Sequence, residues 1–189
     1  MRANDELAVI DWLIGLFPVV PRRGSRLAFM FTDLEGFTAH AAMQGNGAAL
    51  RLLRRHDSLV LPAIRALDGR IVKRLGDGLM AVFVSPADAL RAAVAIQAAA
   101  ARRRPTVKLR IGIHAGEVRW REGDLVGHDL NVAARVTERA RGGRIVVSDV
   151  LRGGADGLPV RFRRTRPLAI PGREPLALFS VESSSEGTS

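Results

Sequence analysis

Two aspartates occupy positions where a carboxylate can bind a hard cation. Asp33 follows the almost continuous apolar run LAFMFT, and Asp77 lies between two glycines in the segment GDG. Taken singly, each has a more common structural explanation, because aspartates often cap helices and occupy turns. Together, the two aspartates indicate a cation-binding site. A strand end and a neighbouring hairpin turn can bring two carboxylates together, and these would repel each other unless a cation lay between them.

The segment after Asp33 has the composition of a phosphate-binding turn. In FTDLEGFT the chain must turn sharply at Gly36 into a helix. Free backbone N–H groups at the start of a helix can hold phosphate. We therefore expect substrate phosphates to contact the chain around this turn, at Leu34, Glu35, Gly36, Phe37 and Thr38.

A second polar pair lies in the segment HDLNVAARV. Asn131 and Arg135 stand four residues apart in a predicted helix, which places both side chains on one face. A neutral donor beside a guanidinium suits a pentavalent phosphorus centre, which gathers charge on its equatorial oxygens. If this pair stood alone, an exposed arginine bonded to a helix neighbour would be the preferred interpretation.

Lysine is rare in this chain, which makes Lys73 a candidate for a specific role. The basic residues number 29, and only Lys73 and Lys108 among them are lysine. Lys73 precedes Asp77 by four residues, so on an extended strand the two would lie roughly 13 Å apart on one face. That spacing suits the two ends of a nucleotide, or two separate sites related by dimer symmetry.

The elements that must position these residues alternate between strand and helix patterns. The run LAFMFTD predicts a buried strand, and GRIVKRL and GLMAVFV predict a hairpin around Gly76-Asp77. VKLRIGIHAGEV predicts a strand, followed by a loop near Asp124. RIVVS and two strands within 160–182, joined through Pro171-Gly172, complete the chain. Apolar residues at helical spacing predict three helices, at about 46–67, 86–103 and 128–140.

This order predicts an α+β fold. We expect a ferredoxin-like, palm-type βαββαβ core with a mostly antiparallel sheet flanked by helices and an added C-terminal hairpin. The predicted domain spans 25–182, before a disordered tail at 183–189. Residues 1–24 predict an amphipathic helix and a basic linker. That helix could pack on the domain, contact a second copy, couple a signal or lie on a membrane surface.

Composition narrows the class of protein. The chain has 189 residues, 47% of them hydrophobic, which is typical of one globular domain. Cysteine is absent, which excludes disulfides and thiolate metal sites. No apolar run could span a membrane and no signal peptide pattern is present, so we expect a soluble, cytoplasmic protein. The formal charge of +10 comes from scattered arginines without a nucleic-acid-binding motif, so no nucleic-acid partner is expected.

Four segments in this order and spacing resemble the catalytic domain of class III adenylyl and guanylyl cyclases: FTDLEGFT, KRLGDGLMAVF, RIGIHAGEV and DLVGHDLNVAARV. The resemblance covers about residues 25–182. It implies a cyclase homology domain that forms a head-to-tail homodimer with active sites at the interface, and it implies ATP as a small-molecule partner.

The resemblance also implies roles for individual residues. Asp33 and Asp77, with Leu34 beside them, match the positions that hold two divalent cations, Mg²⁺ or Mn²⁺. Asn131 would orient the ribose and Arg135 would stabilise the reacting phosphorus, both supplied by the partner chain. Lys73 and Asp124 match the two positions assigned to base choice. A lysine can donate to adenine N1, and a carboxylate can accept from the 6-amino group.

We therefore expect an adenylyl cyclase that converts ATP to cyclic AMP. One departure keeps a second hypothesis open, that of a catalytically weak cyclase-like module for nucleotide binding or dimerisation. Many members carry a phosphate-contacting lysine in a Lys-Gly pair after an apolar strand, whereas this chain has Pro171-Gly172 there. Proline supplies neither charge nor a backbone donor, although Arg173 or Arg166 could replace the lysine. A guanylyl cyclase is the third hypothesis.

Overall fold

The computed structural model describes residues 26–103, 107–117, 119–121, 124–155 and 157–183. The helix and linker predicted within residues 1–24 lie outside these ranges, and so do residues 184–189 of the predicted tail. Ser183, which was expected to open that tail, is the last residue of a strand. None of the described helices is both long and apolar enough to cross a membrane.

The first six elements form the predicted βαββαβ core. In chain order they are β1 (Arg26–Glu35), α1 (Phe37–Arg65), β2 (Arg70–Leu75), β3 (Gly78–Phe83), α2 (Pro86–Arg102) and β4 (Lys108–Glu117). The four strands lie side by side in the order β2-β3-β1-β4, and all three pairs are antiparallel. β1 is thus a central strand, in agreement with its apolar sequence.

The remaining elements extend this sheet. They are β5 (Arg119–Arg121), β6 (Asp124–Val126), α3 (His128–Glu138), β7 (Ile145–Ser148), a 3-10 helix (Asp149–Gly154), β8 (Val160–Arg164) and β9 (Leu178–Ser183). The main sheet has seven strands in the order β2-β3-β1-β4-β7-β9-β8, and β4–β7 is its parallel pair. The α+β class with a mostly antiparallel sheet is confirmed.

The two faces of the sheet carry different helices. Along β1, Ala28, Met30 and Leu34 belong to the core cluster packed under α1 and α2. Leu27, Phe29 and Phe31 belong to a second cluster, under α3. Because side chains alternate along a strand, Thr32 faces α1, whereas Asp33 lies on the opposite face of the sheet.

The helix predicted at about 46–67 begins earlier than expected, at Phe37. Gly36 adopts the left-handed conformation with φ 82° and starts it, and Gly45, with φ 78°, interrupts it within the sequence GNG. Both positions favour glycine, which has no Cβ to oppose a positive φ. Apolar periodicity predicted only the second part of α1, although a turn into a helix was expected at Gly36.

Two other predicted elements also differ from the structure. The loop expected near Asp124 contains the short β5–β6 ribbon, and the first predicted C-terminal strand is cut short. β8 ends at Arg164, and an isolated bridge between Leu168 and Leu176 replaces the rest of that strand. The prolines that follow each lack a backbone donor and cannot extend a ladder. The turn expected at Pro171-Gly172 is present.

Candidate functional site

Asp33 and Asp77 converge at one end of the central strand. The turn between β2 and β3 lies against β1, and the backbone N–H of Leu34 donates a hydrogen bond of 3.0 Å to Asp77 Oδ2. Leu34 directly follows Asp33, so both carboxylates flank one peptide segment. The structure therefore brings together the two acids that the sequence analysis paired. The Leu34 side chain is buried, which leaves only its backbone to face a ligand.

The two positions that flank Asp77 require glycine for different geometric reasons. Gly76 adopts φ 61° in the turn, a conformation that glycine tolerates best. At Gly78, an added Cβ would lie 1.8 Å from the carbonyl oxygen of Thr32. A side chain there would push the turn away from β1 and carry Asp77 with it. The segment GDG thus sets how closely the two acids approach.

Asp33 already has a cationic neighbour, Arg110 on β4. Asp33 stands two residues before the end of β1, because Leu34 and Glu35 still pair with β4. Arg110 is its register partner and donates from Nε to Asp33 Oδ2 at 2.6 Å. Arg110 was not among the site residues predicted from the sequence. The available signal was a single charge within the otherwise apolar alternation LRIGIHAG.

The start of α1 lies immediately beyond Asp33. Gly36 occupies the N-cap position without a side-chain cap, and the first turn contains no acidic residue. The backbone N–H groups of such a turn, among them those of Phe37 and Thr38, favour an anionic ligand. Glu35 is exposed and stands opposite Lys108 in the ladder, so its carboxylate is matched by a cation in the neighbouring strand.

The residues expected to read the base lie on two different elements. Lys73 is partly buried on β2, the edge strand that leads into the Asp77 turn, next to a register shift in its pairing with β3. Asp124 is the first residue of β6 and pairs with Arg121 of β5. The Asp124 side chain lies outside the described part of the structure.

Asn131 and Arg135 both lie on α3, as the sequence analysis expected. Asn131 is exposed, whereas Arg135 is half-buried and donates from Nη2 to the carbonyl oxygen of Ala169 at 2.9 Å. That bond ties α3 to the C-terminal segment.

Asn131 is distant from Asp33 within one chain. A Cβ added to Gly116 would touch Asp129, two residues before Asn131, and Gly116 pairs with Leu27. Asp33 is six residues further along β1, so the start of α3 and Asp33 are separated by about 20 Å along the sheet. Asn131 therefore lies well away from Asp33 within one chain. The end of α3 comes nearer, because a Cβ added to Gly112 would touch Thr137 and Gly112 pairs with Phe31, two residues from Asp33.

A buried histidine that was not predicted from the sequence lies behind the two acids. His56 of α1 is 3% exposed, and its Nε2 lies 2.9 Å from Thr32 Oγ1. Burial lowers the pKa of His56, partly opposed by the neighbouring Asp57. The periodicity could have revealed it, because His56, Val60 and Ile64 follow one another at intervals of four on the buried stripe of α1.

The donor set at the two acids fits Mg²⁺ or Mn²⁺. Within the described ranges, no group of three or more His, Cys, Asp and Glu residues could hold a metal ion. Mg²⁺ does not require such a cage, because it commonly binds through one or two carboxylates together with waters and substrate phosphates. Asp33 and Asp77, beside a helix start that favours phosphate, supply this kind of incomplete site.

Comparison with known protein families and curated proteins identifies relatives. A family model described as the adenylate and guanylate cyclase catalytic domain matches residues 19–183. The chain is 29% identical over 168 residues to the serine/threonine-protein kinase pkn2 of Myxococcus xanthus, covering 85% of this chain and 20% of that protein. It is 31% identical over 128 residues to putative adenylate cyclase 3 of Rhizobium meliloti (strain 1021), covering 65% of this chain and 22% of that protein. The chain therefore spans about a fifth of the length of these relatives.

Solved structures share the fold. The adenylyl cyclase CyaB from P. aeruginosa superposes with a TM-score of 0.73 at 19% identity, covering 88% of this chain and 98% of that one. An adenylate/guanylate cyclase/hydrolase from Silicibacter pomeroyi gives a TM-score of 0.72 at 29% identity, covering 83% and 96%. Because the family match spans residues 19–183, well over half of its length, this chain belongs to the adenylate and guanylate cyclase catalytic domain family.

Proposed function

We propose that this chain is an adenylyl cyclase that converts ATP to 3′,5′-cyclic AMP and pyrophosphate at sites shared by two copies of a head-to-tail homodimer. The observation that carries the proposal is the hydrogen bond from Leu34 N to Asp77 Oδ2 at 3.0 Å. It holds two carboxylates beside the uncapped start of α1, so that cation-binding and phosphate-binding groups share one end of the sheet.

Asp33 and Asp77 would hold two divalent cations, with the backbone of Leu34 as a further ligand. Bound there, Mg²⁺ or Mn²⁺ would lower the pKa of the ribose 3′-hydroxyl and neutralise charge on the triphosphate. The backbone N–H groups from Gly36 to Thr38 would bind phosphate oxygens. Glu35 would remain exposed to solvent next to this turn.

In the proposed reaction, the 3′-hydroxyl loses its proton and its oxygen attacks the α-phosphorus in line. The bond from that phosphorus to the bridging oxygen breaks, and pyrophosphate leaves. Arg135 would bind the equatorial oxygens as charge gathers there, and Asn131 would orient the ribose. Because about 20 Å of sheet separates Asp33 from the start of α3, Asn131 would come from the second copy. Arg135, one turn further on the same helix face, would be supplied with it.

Base choice would rest on Lys73 and Asp124. A lysine donates and a carboxylate accepts, which matches adenine N1 and its 6-amino group. Guanine presents the opposite pattern at these two positions, because its N1 is protonated and its 6-substituent is a carbonyl. The placement of Lys73 on the strand leading into the Asp77 turn supports a base-reading site a few residues from the phosphate site.

The deciding experiment is a product assay with purified protein. Incubation with ATP or GTP, in Mg²⁺ or in Mn²⁺, should give cyclic AMP from ATP and little cyclic GMP. Asp77→Asn keeps an oxygen that can accept from Leu34 but removes the charge, so it should abolish product while the circular dichroism spectrum is unchanged. Asp77→Ala should be equally inactive. Substantial activity in a folded Asp77→Asn protein would contradict the cation assignment.

A second candidate function follows from Pro171-Gly172, which stands where related cyclases carry a phosphate-binding lysine. Arg166 and Arg173 flank this turn, and both are exposed. If neither replaces the lysine, the domain would bind nucleotide weakly and serve as a nucleotide-sensing or dimerisation module. ATP binding measured by calorimetry, with no product in either metal, would favour this function. An excess of cyclic GMP would instead identify a guanylyl cyclase.

A further inference from the structure

A chain of buried polar groups runs behind the two acids, and the proposed reaction does not use it. Thr32 directly precedes Asp33 on β1, and its side chain points away from Asp33 toward α1. Thr32 and His56 are each 3% exposed, and Thr32 Oγ1 lies 2.9 Å from His56 Nε2. Buried polar groups are costly unless they are paired, so this contact fixes both side chains.

Asp57 determines which nitrogen of His56 carries the proton. His56 Nδ1 lies 3.3 Å from Asp57 Oδ1, which also accepts from Arg74 Nη1 at 2.9 Å. Partial burial acts to raise the pKa of Asp57, but the hydrogen bonds from Arg74 and His56 outweigh it and lower that pKa. An ionised carboxylate can only accept, so Nδ1 is the protonated nitrogen and Nε2 keeps its lone pair.

This tautomer determines which group donates and which accepts in each hydrogen bond of the buried polar network. His56 Nε2 accepts from the Thr32 hydroxyl, which turns the oxygen lone pairs of Thr32 toward β3. There, the backbone N–H of Leu79 donates to Thr32 Oγ1 at 3.2 Å. Burial lowers the pKa of His56 and so favours the neutral ring that this arrangement requires.

The hydroxyl of Thr32 helps to hold the Asp77 turn against β1. It acts together with the β1–β3 ladder, which pairs Thr32 with Leu79, with the close approach of Gly78 to the Thr32 carbonyl and with the bond from Leu34 N to Asp77 Oδ2. Leu79 follows Asp77 by two residues, and Thr32 precedes Asp33 by one. The orientation of one hydroxyl therefore affects the separation of the two carboxylates.

We propose that His56 is a positioning residue for the cation site: held in one tautomer by Asp57, it orients the Thr32 hydroxyl and so fixes the spacing of Asp33 and Asp77. This rests on the proposed function, in which those two acids hold divalent cations. His56 itself touches no substrate. It acts through Thr32 and Leu79, in the manner of groups that orient metal ligands from behind.

The test compares His56→Leu with His56→Gln. Leucine keeps the volume but offers no acceptor to Thr32, whereas the glutamine amide oxygen can reach the place of Nε2 and accept. Removing an outer partner typically costs 10- to 100-fold in metal affinity or activity, so His56→Leu should weaken Mn²⁺ binding by about tenfold or more. The KM for ATP, measured at saturating Mn²⁺, should change by less than about threefold. His56→Gln should recover most of the loss.

Mn²⁺ binding is measured by calorimetry on the purified protein without nucleotide, alongside kcat and KM. Val60→Ala is the matched control, because Val60 is fully buried one turn further along α1 and carries no polar group. It should lower stability in urea while leaving Mn²⁺ affinity unchanged. An equal loss of Mn²⁺ affinity in Val60→Ala would assign the effect to stability and overturn the proposal.

Two further results would also overturn the role of His56. One is a folded His56→Leu protein with wild-type Mn²⁺ affinity. The other is a folded His56→Gln protein as impaired as His56→Leu. These results differ from a failure of the proposed function, in which the wild-type protein would form no cyclic AMP or bind no Mn²⁺. An active wild type with an unaffected His56→Leu variant would remove this inference alone.

Discussion

Arg110 Nε lies 2.6 Å from Asp33 Oδ2, and the two residues stand opposite each other in the β1–β4 ladder. Both side chains are about one-quarter exposed, at 26% and 29%. A guanidinium therefore neutralises one of the two carboxylates that we propose for cation binding. Any divalent cation at Asp33 must share this carboxylate with Arg110 or displace it.

Replacing Arg110 with glutamine should strengthen metal binding in the absence of nucleotide. An ion pair with this exposure is worth roughly 0.2–1 kcal/mol, so its loss should tighten Mn²⁺ binding by about 1.4- to fivefold. Calorimetric titration of Mn²⁺ measures the change directly. Arg91→Gln is the control, since Arg91 pairs with Asp88 on α2 at 2.7 Å and its loss removes the same charge elsewhere. Unchanged or weaker binding in Arg110→Gln would contradict the competition.

Gly78→Ala should be strongly destabilising. An added Cβ would lie 1.8 Å from the Thr32 carbonyl oxygen, which belongs to the central strand and cannot move without disturbing the sheet. Overpacking of this kind costs about 1–3 kcal/mol or more in the free energy of unfolding. Urea denaturation measures it. Gly153→Ala serves as the control, because a Cβ there meets nothing within 4 Å. Equal stability of the two variants would show that the close approach at Gly78 is not required.

The turn at Asp77 could be predicted because its determinants are local. Two glycines around an aspartate, between apolar runs of strand type, specify a hairpin within a few residues. The same logic detected the helix holding Asn131 and Arg135. The bounds of α1 were less accurate: a turn into a helix was expected at Gly36, but apolar periodicity predicted a helix only at about 46–67. In the molecule, Gly36 starts a helix and Gly45 only kinks it.

The pairing of Arg110 with Asp33 could not be predicted, because 77 residues separate them in the chain. Their contact depends on the register of β1 against β4, which one sequence does not reveal. His56 is a different case. Its place on the buried stripe of α1 follows from periodicity, but its partner Thr32 again depends on how α1 packs against β1.

Acid should destabilise this fold through two buried histidines. Burial is the first cause that lowers the pKa of both His56 and His114 below the ordinary value of 6.5. As pH falls through about 6.5, the unfolded chain therefore binds more protons than the folded chain. The contribution of these histidines to stability is thus present above that pH and lost progressively below it. The free energy of unfolding should therefore decline between about pH 7 and pH 5.

The charged neighbours of each histidine moderate this effect. Asp57 and Asp77 raise the pKa of His56 and Arg74 lowers it. Asp129 and Asp149 raise that of His114, and Arg26 lowers it. Urea titrations at several pH values should give a flatter profile for His56→Gln than for the wild type. His128→Gln, which alters an exposed histidine, should leave the profile unchanged. An identical slope in His56→Gln and the wild type would contradict the burial effect.

A mixture of two inactive variants should recover activity if each site is built from two chains. Asp33→Ala removes a cation ligand and Arg135→Ala removes the group proposed to bind the reacting phosphorus, so each homodimer should be inactive. In a head-to-tail heterodimer, both lesions fall in one site and the other stays intact. Random mixing in equal amounts should therefore give about one-quarter of wild-type activity, since half of the dimers carry one working site of two.

The matched control mixes Asp33→Ala with Asp77→Ala. Both lesions then lie on the same side of the interface, so every site of every dimer lacks one cation ligand and no activity should return. Native mass spectrometry verifies that the chains exchange. Recovery in the first mixture but not in the second would require Arg135 to act across the interface. Equal outcomes in the two mixtures, with exchange verified, would place Asp33 and Arg135 on the same chain's site and refute the shared arrangement.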